Sequence, residues 1–207
     1  MNVAVLTYDN VELVDMHGPI DTFLRANSYN GSRYNIYTVA ATDAPVLASG
    51  GVVTITPHYT IKNCATPDVI VIPGIMTPDG AGIADKAIIN WIKKMGANKK
   101  VIMSVCIGSY SLAETNLLSG KKATTHYLSI NDFHKKYPDI TIIKNVRYVA
   151  DGNIVTTGGI TSGIDGALYL VEKFDGTDIA QQTADVMVYN RDNPLPPYTI
   201  LPPYYND

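Results

Sequence analysis

The chain has 207 residues, 46% of them apolar and 17% charged, enough to build one large core and too apolar for a disordered tail protein. A net charge of −3 leaves no basic footprint for nucleic acid. No stretch approaches the roughly 20 apolar residues that a membrane span needs, and two cysteines, Cys64 and Cys106, are too few for a disulfide framework.

The opening MNVAVLTYDN carries no basic region, apolar run or cleavage site, so a cytoplasmic protein is expected. Val3 to Tyr8 is continuous and β-branched, as in a strand covered on both faces. A helix is expected over Ile20–Ala26, with Pro19 at its favoured first position, and then a strand over Ile36–Ala41. Val46–Ile55 alternates and is broken by glycine, which predicts a hairpin at one edge. Strand Val69–Ile72, helix Ala84–Met95, strand Val101–Val105 and helix Gly108–Leu118 follow, then a helix over Leu128–Lys136. A second edge hairpin is expected within Ile140–Thr157, turning at Asp151-Gly152 and ending in strand Ile154–Thr157. The last helix is expected over Gly163–Phe174. This alternation predicts an α/β fold, a mostly parallel sheet with helices on both faces and hairpins at its edges. The domain is expected to span residues 1–190. The tail NPLPPYTILPPYYND is too rich in proline for a helix or central strand, so residues 191–207 read as an extended arm. It would lie on the surface or line a dimer interface or the mouth of the site.

The strongest chemical signal is Ser104-Val105-Cys106-Ile107-Gly108. A buried strand ends there, a helix begins at once, and small residues stand two before and two after the cysteine. That is the steric demand of a nucleophile elbow. A helix N-terminus also favours thiolate. The alternative is a buried structural cysteine. Cys64, in KNCATPD, has no such setting and reads as inert.

Asp15, in VELVDMHGPIDTF, has apolar neighbours. Desolvation or a nearby thiolate would raise its pKa and let it act as an acid; otherwise it is a surface or capping residue. His126, in KKATTHY, is open to pairing with the cysteine or to a purely structural hydrogen bond. His17 is a further pocket candidate, whereas His58 and His134 lie in polar contexts. No two histidines have metal-ligand spacing, so no metal is expected. Gly74, in VIPGI, would let backbone approach the site, and the N–H of Ile75 after it could serve an oxyanion hole. Gly158-Gly159 follows a strand without the lysine or spacing of a phosphate loop and reads as a plain strand-to-helix turn.

These segments together resemble the ThiJ/PfpI superfamily, the cysteine branch of the class I glutamine amidotransferase-like proteins. VELVDMHGPIDTF, PDVIVIPG, VCIGSYSLAETNLLSGKKATTHY and GGITSGIDGALYLVEKF carry the likeness nearly end to end. Within it, the Asp15 context, ATTHY and MVYNRDNPLPPY are most similar to isonitrile hydratases and to the amidotransferase-like domains of some transcription regulators. The resemblance implies a flavodoxin-like three-layer sandwich, Cys106 as nucleophile with Asp15 as its acidic partner, and a homodimer with the site near the subunit boundary. It implies addition of water to isocyanides to give N-substituted formamides, acting on a small molecule without an organic cofactor or metal. Two positions depart from that pattern: Ile107 replaces a threonine after the cysteine, and Ile75 replaces a second glycine.

Two other readings stand beside the hydratase. One is a glyoxalase or deglycase, with Cys106 adding to a reactive aldehyde and His126 moving the proton. The other is a non-catalytic sensor or binding domain whose cysteine is oxidised to sulfinate. Regulators with such domains carry a helical DNA-binding module that these 207 residues do not contain, so a stand-alone enzyme is expected.

Overall fold

The computed structural model describes residues 1–75, 83 and 85–191. The chain runs β1 (Asn2–Leu6), α1 (Leu13–Ala26), β2 (Asn35–Ala40), β3 (Val46–Leu47), β4 (Thr54–Ile55), β5 (Tyr59–Thr60) and β6 (Val69–Ile72). It continues through α2 (Lys86–Ala97), β7 (Val101–Val105), α3 (Gly108–Ala113), β8 (Lys122–Ala123), α4 (Ile130–Lys136) and β9 (Thr141–Ile142). The remaining elements are β10 (Tyr148–Asp151), β11 (Ile154–Thr157), α5 (Ser162–Asp175) and α6 (Thr177–Val186).

Seven strands form one sheet in the order β10-β11-β7-β6-β1-β2-β5. Every neighbouring pair in it is parallel except β10 with β11. The central strands are mostly apolar because both of their faces are covered: all four residues of β6 are buried, as are four of the five in β1 and in β7. Helices α1, α5 and α6 pack on one another, with α1 against β1 and β6 and α5 against β7 and β11; α3 lies on β6 and β7, with α2 beside it. In α2 the buried positions Ile88, Ile92 and Met95 recur at helical spacing, and the Asp85 side chain caps its start by accepting from the Ala87 N–H at 2.7 Å. No helix among the described residues is long and apolar enough to cross a membrane.

The predicted α/β arrangement is the observed one, with several corrections. α1 begins at Leu13, so Pro19 lies inside the helix and Asp15 sits in its first turn. The ring of Pro19 removes one N–H from the helix interior, and the Thr22 hydroxyl donates back to the Gly18 carbonyl at 2.8 Å. α3 ends at Ala113, five residues short of the predicted end. β3 and β4 form a separate two-stranded sheet beside the loop after β1, joined to it by Asn10 N–H on Leu47 O at 2.7 Å and Ser49 N–H on Val11 O at 3.0 Å. The second hairpin is shorter than predicted, because Thr141–Ile142 pairs in parallel with Lys122–Ala123 instead. Its turn is formed by Gly152 and Asn153, with Asp151 still paired to Ile154 and Gly152 at φ +69°. α6 was not anticipated. The predicted arm lies outside the described residues from 192 onward.

Because β1, β6, β7 and β11 are parallel neighbours, the loops leaving their C-terminal ends meet along one edge of the sheet. That edge of an open α/β sheet is where sites are built.

Candidate active site

Cys106 leaves β7 and turns at once into α3, with φ +56°. A side chain other than glycine in this left-handed region is held there only by strong surroundings. Here the Cys106 N–H donates to Thr157 O at 3.1 Å, and its carbonyl accepts from Ser109 N–H, Ser109 Oγ and Thr125 Oγ1 at 3.4, 3.1 and 3.3 Å. The demand for a small residue two positions later is steric. A Cβ on Gly108 would come within 2.2 Å of Ile72 O and 2.7 Å of Pro73 O.

Asp15 is fully buried. Its Oδ2 accepts from the Gly74 N–H and its Oδ1 from the Ile160 N–H, both at 2.8 Å. One carboxyl group thus fastens the loop after β6 to the loop after β11. The Cys106 thiol lies beside the same carboxyl group, near enough for each to act on the other electrostatically. Burial raises the Asp15 pKa to about 7, against the lowering effect of the two backbone N–H groups, and the nearby Glu12 carboxylate adds to the rise. Burial, followed by the Asp15 charge, pushes the Cys106 thiol well above its ordinary value, while the Ile107 N–H opposes the shift. The helix start thus does not act alone on the sulfur: burial and the Asp15 charge oppose the thiolate that the Ile107 N–H favours. What the geometry supplies is a thiol beside a carboxyl group that titrates near neutrality.

Glycines make the approach possible. A Cβ on Gly74 would lie 2.5 Å from Asp15 Oδ2 and 3.0 Å from Cys106 Cβ. Gly159, at φ +106°, leaves room in the same way: a Cβ there would lie 2.9 Å from Cys106 Sγ and 3.0 Å from His126 Cδ2. Ile75 is half-buried and bridges to Val11, and the Glu12 N–H donates to Gly74 O at 3.0 Å. Ile107 is half-buried and packs on the core. His126 and the sulfur thus flank Gly159 together, and burial lowers the His126 pKa, which favours the neutral ring.

His17 does not join the group: it is exposed, and its Nδ1 lies 2.9 Å from Leu13 O in its own helix. His58 and His134 are exposed, as expected. Cys64 is half-buried and far along the sheet from the elbow, on the segment leaving β5, with burial raising its pKa. Among the described residues no three His, Cys, Asp or Glu side chains converge as a metal site requires.

Three participants were not singled out from the sequence. Glu12 places charge near both reactive groups. Ile160, at φ +49°, supplies the second N–H to Asp15; its signal was the Gly158-Gly159 pair just before it. Tyr8 is buried, and its hydroxyl donates to Pro73 O. A polar-tipped aromatic at the C-terminal end of a buried strand was the clue there. Beyond His126 and Gly159 lies a cavity of about 210 Å³, lined in part by Thr125, Tyr127, Ile130 and Val146.

A buried parallel sheet, a left-handed cysteine at the strand-to-helix elbow and a buried carboxyl group beside it define an α/β protein with a nucleophile-elbow turn. The DJ-1/PfpI family model matches residues 1–173. The chain belongs to that family. It is 32% identical over 203 residues to the isonitrile hydratase of Pseudomonas putida, covering 96% of this chain and 81% of the relative. It is 28% identical over 169 residues to the HTH-type transcriptional regulator CdhR of Pseudomonas aeruginosa, covering 82% of this chain and about half of the regulator, 49%. Among solved structures, a ThiJ/PfpI family protein from Pseudomonas syringae superposes with a TM-score of 0.80 at 30% identity, covering 93% of this chain and 76% of the other. DJ-1beta of Drosophila melanogaster shares the fold, with a TM-score of 0.77 at 18% identity over 91% of this chain and 97% of the other.

Proposed function

We propose that the protein is a cysteine-dependent hydratase that adds water to isocyanides to give N-substituted formamides. The observation that carries this reading is the buried Asp15 carboxyl group, held by two backbone N–H groups and set beside Cys106 at the elbow. The reaction needs a soft nucleophile and a proton donor at one carbon, and this pair supplies both. The likeness to the Pseudomonas putida enzyme supports it.

In the reaction, Cys106 sulfur bonds to the terminal carbon of R–N≡C as the thiol proton passes to Asp15. Asp15 delivers a proton to the same carbon, giving the thioimidate R–N=CH–S–Cys. Water then adds to that carbon, one of its protons goes to nitrogen, and the carbon–sulfur bond breaks. The products are R–NH–CHO and the free thiol. Asp15 must be ionised to take the thiol proton in the first step, so turnover rises as pH passes upward through about 7.

The test is to incubate purified protein separately with a simple alkyl isocyanide and with methylglyoxal, following formamide and lactate by NMR. Formamide from the first is the expected result. Lactate alone would replace this reading with a glyoxalase, and no product from either would favour the sensor. Ile107→Thr provides a second check. A hydroxyl beside the sulfur can hydrogen-bond where the present side chain cannot, and an initial hydration rate about tenfold higher is expected.

A further inference from the structure

The Pro73–Gly74 peptide group is gripped at both ends. Its carbonyl accepts from the Tyr8 hydroxyl, and its N–H donates to Asp15 Oδ2 at 2.8 Å. We propose that Tyr8 is a positioning residue that acts on Asp15 through this one peptide plane, fixing its orientation and polarising its N–H toward the carboxyl group.

The physical argument is short. A peptide whose carbonyl accepts a hydrogen bond becomes a better N–H donor, since bonds in a chain polarise one another. A stronger N–H donor favours the charged carboxylate. Burial holds the Tyr8 phenol far above its ordinary pKa, so the group remains an O–H donor throughout the working range. The phenol also lies within electrostatic reach of both Asp15 and Cys106. The charged or titratable groups facing Asp15 among the described residues are Glu12 ahead of α1, Cys106 at the elbow and Tyr8 after β1. Burial and Glu12 raise the Asp15 pKa, and the two backbone N–H groups oppose them. Tyr8 tightens one of those two. Without it, the Pro73–Gly74 peptide could rock about its flanking bonds, and Asp15 would lose part of the restraint that keeps its titration near neutrality.

This inference uses Asp15 as the acid of the proposed hydratase, but its test reads ionisation directly and so is independent of any substrate. With the aspartate carboxyl carbons ¹³C-labelled, the Asp15 resonance is assigned by its loss in Asp15→Asn and titrated by NMR in the full chain. Tyr8→Phe keeps the ring and removes the donor, and its midpoint is expected about half a unit higher. Site-specific 3-fluorotyrosine at position 8, a stronger donor of nearly the same shape, is expected to move the midpoint the other way. A residue that merely filled space would produce no such opposition of sign. Unchanged midpoints in both proteins would overturn the proposal, as would shifts in the same direction. If Tyr8→Phe fails to fold, the fluorinated protein alone decides by the sign of its shift.

Discussion

Cys106→Ala is expected to reduce isocyanide hydration to background, a loss of about ten-thousandfold or more, since removal of a nucleophile eliminates the covalent route and not merely one contact. Formamide release followed by NMR measures it, and a variant retaining a tenth of the activity would remove Cys106 from the reaction. The same position predicts an inverse effect on stability. Alanine retains the left-handed backbone that costs a side chain roughly 1–2 kcal/mol. Glycine escapes that cost but loses roughly 0.5–1 kcal/mol to its freer unfolded chain. Cys106→Gly should therefore be more stable than Cys106→Ala by about 0.5–1 kcal/mol, read from thermal melting. Equal melting temperatures would mean that the φ of +56° carries little strain.

Asp15→Asn carries the second large effect. The amide has no proton to give, so hydration should fall by about 10²- to 10⁴-fold. Nor can it replace the carboxyl group structurally. Both oxygens now accept from a backbone N–H, and an amide must set its own NH₂ against either Gly74 or Ile160. An unsatisfied buried donor of this kind costs about 1–3 kcal/mol. The pH dependence of stability gives a further signature. Below about pH 4, the ordinary range of a free aspartate, both folded and unfolded chains hold the proton. Between there and pH 7 only the folded chain holds it, so the Asp15 contribution to stability declines as pH rises and is lost beyond 7. Chemical denaturation at pH 4.5 and 7.5 should show this decline in the natural protein and lose it in Asp15→Asn. The same slope in both would place the relevant titration elsewhere.

The parts of the molecule that were legible in the sequence are those fixed by local chemistry. Runs rich in apolar and β-branched residues marked β1, β6, β7 and β11, as strands covered on both faces require. The elbow was legible because Gly108 must be small, and the structure supplies the carbonyls of Ile72 and Pro73 as the reason. The Asp15 context was legible only as a choice between an acid and a surface residue. Burial beside Cys106 removes the surface reading, and it comes from β1 and β7 lying on either side of β6. Pro19 misled because its usual place is a helix start, while here packing carries the helix through it. Pairs as short as β8 with β9 hold two residues each and leave almost no periodicity to read. Tyr8 and Ile160 enter through long-range backbone contacts, 65 and 145 residues away along the chain, which no local pattern encodes.

The two backbone bonds to Asp15 have one more consequence. With one lone pair on each oxygen already taken, the carboxyl group can neither spin about its bond nor present its proton in several directions. A carboxylic acid free in solution must surrender that rotational freedom each time it aligns with a reacting carbon. In this protein the alignment is completed when the loops after β6 and β11 close on α1 during folding. For the proposed reaction, the entropic cost of aiming the acid therefore falls on assembly of the chain, and no part of it recurs with each molecule of substrate.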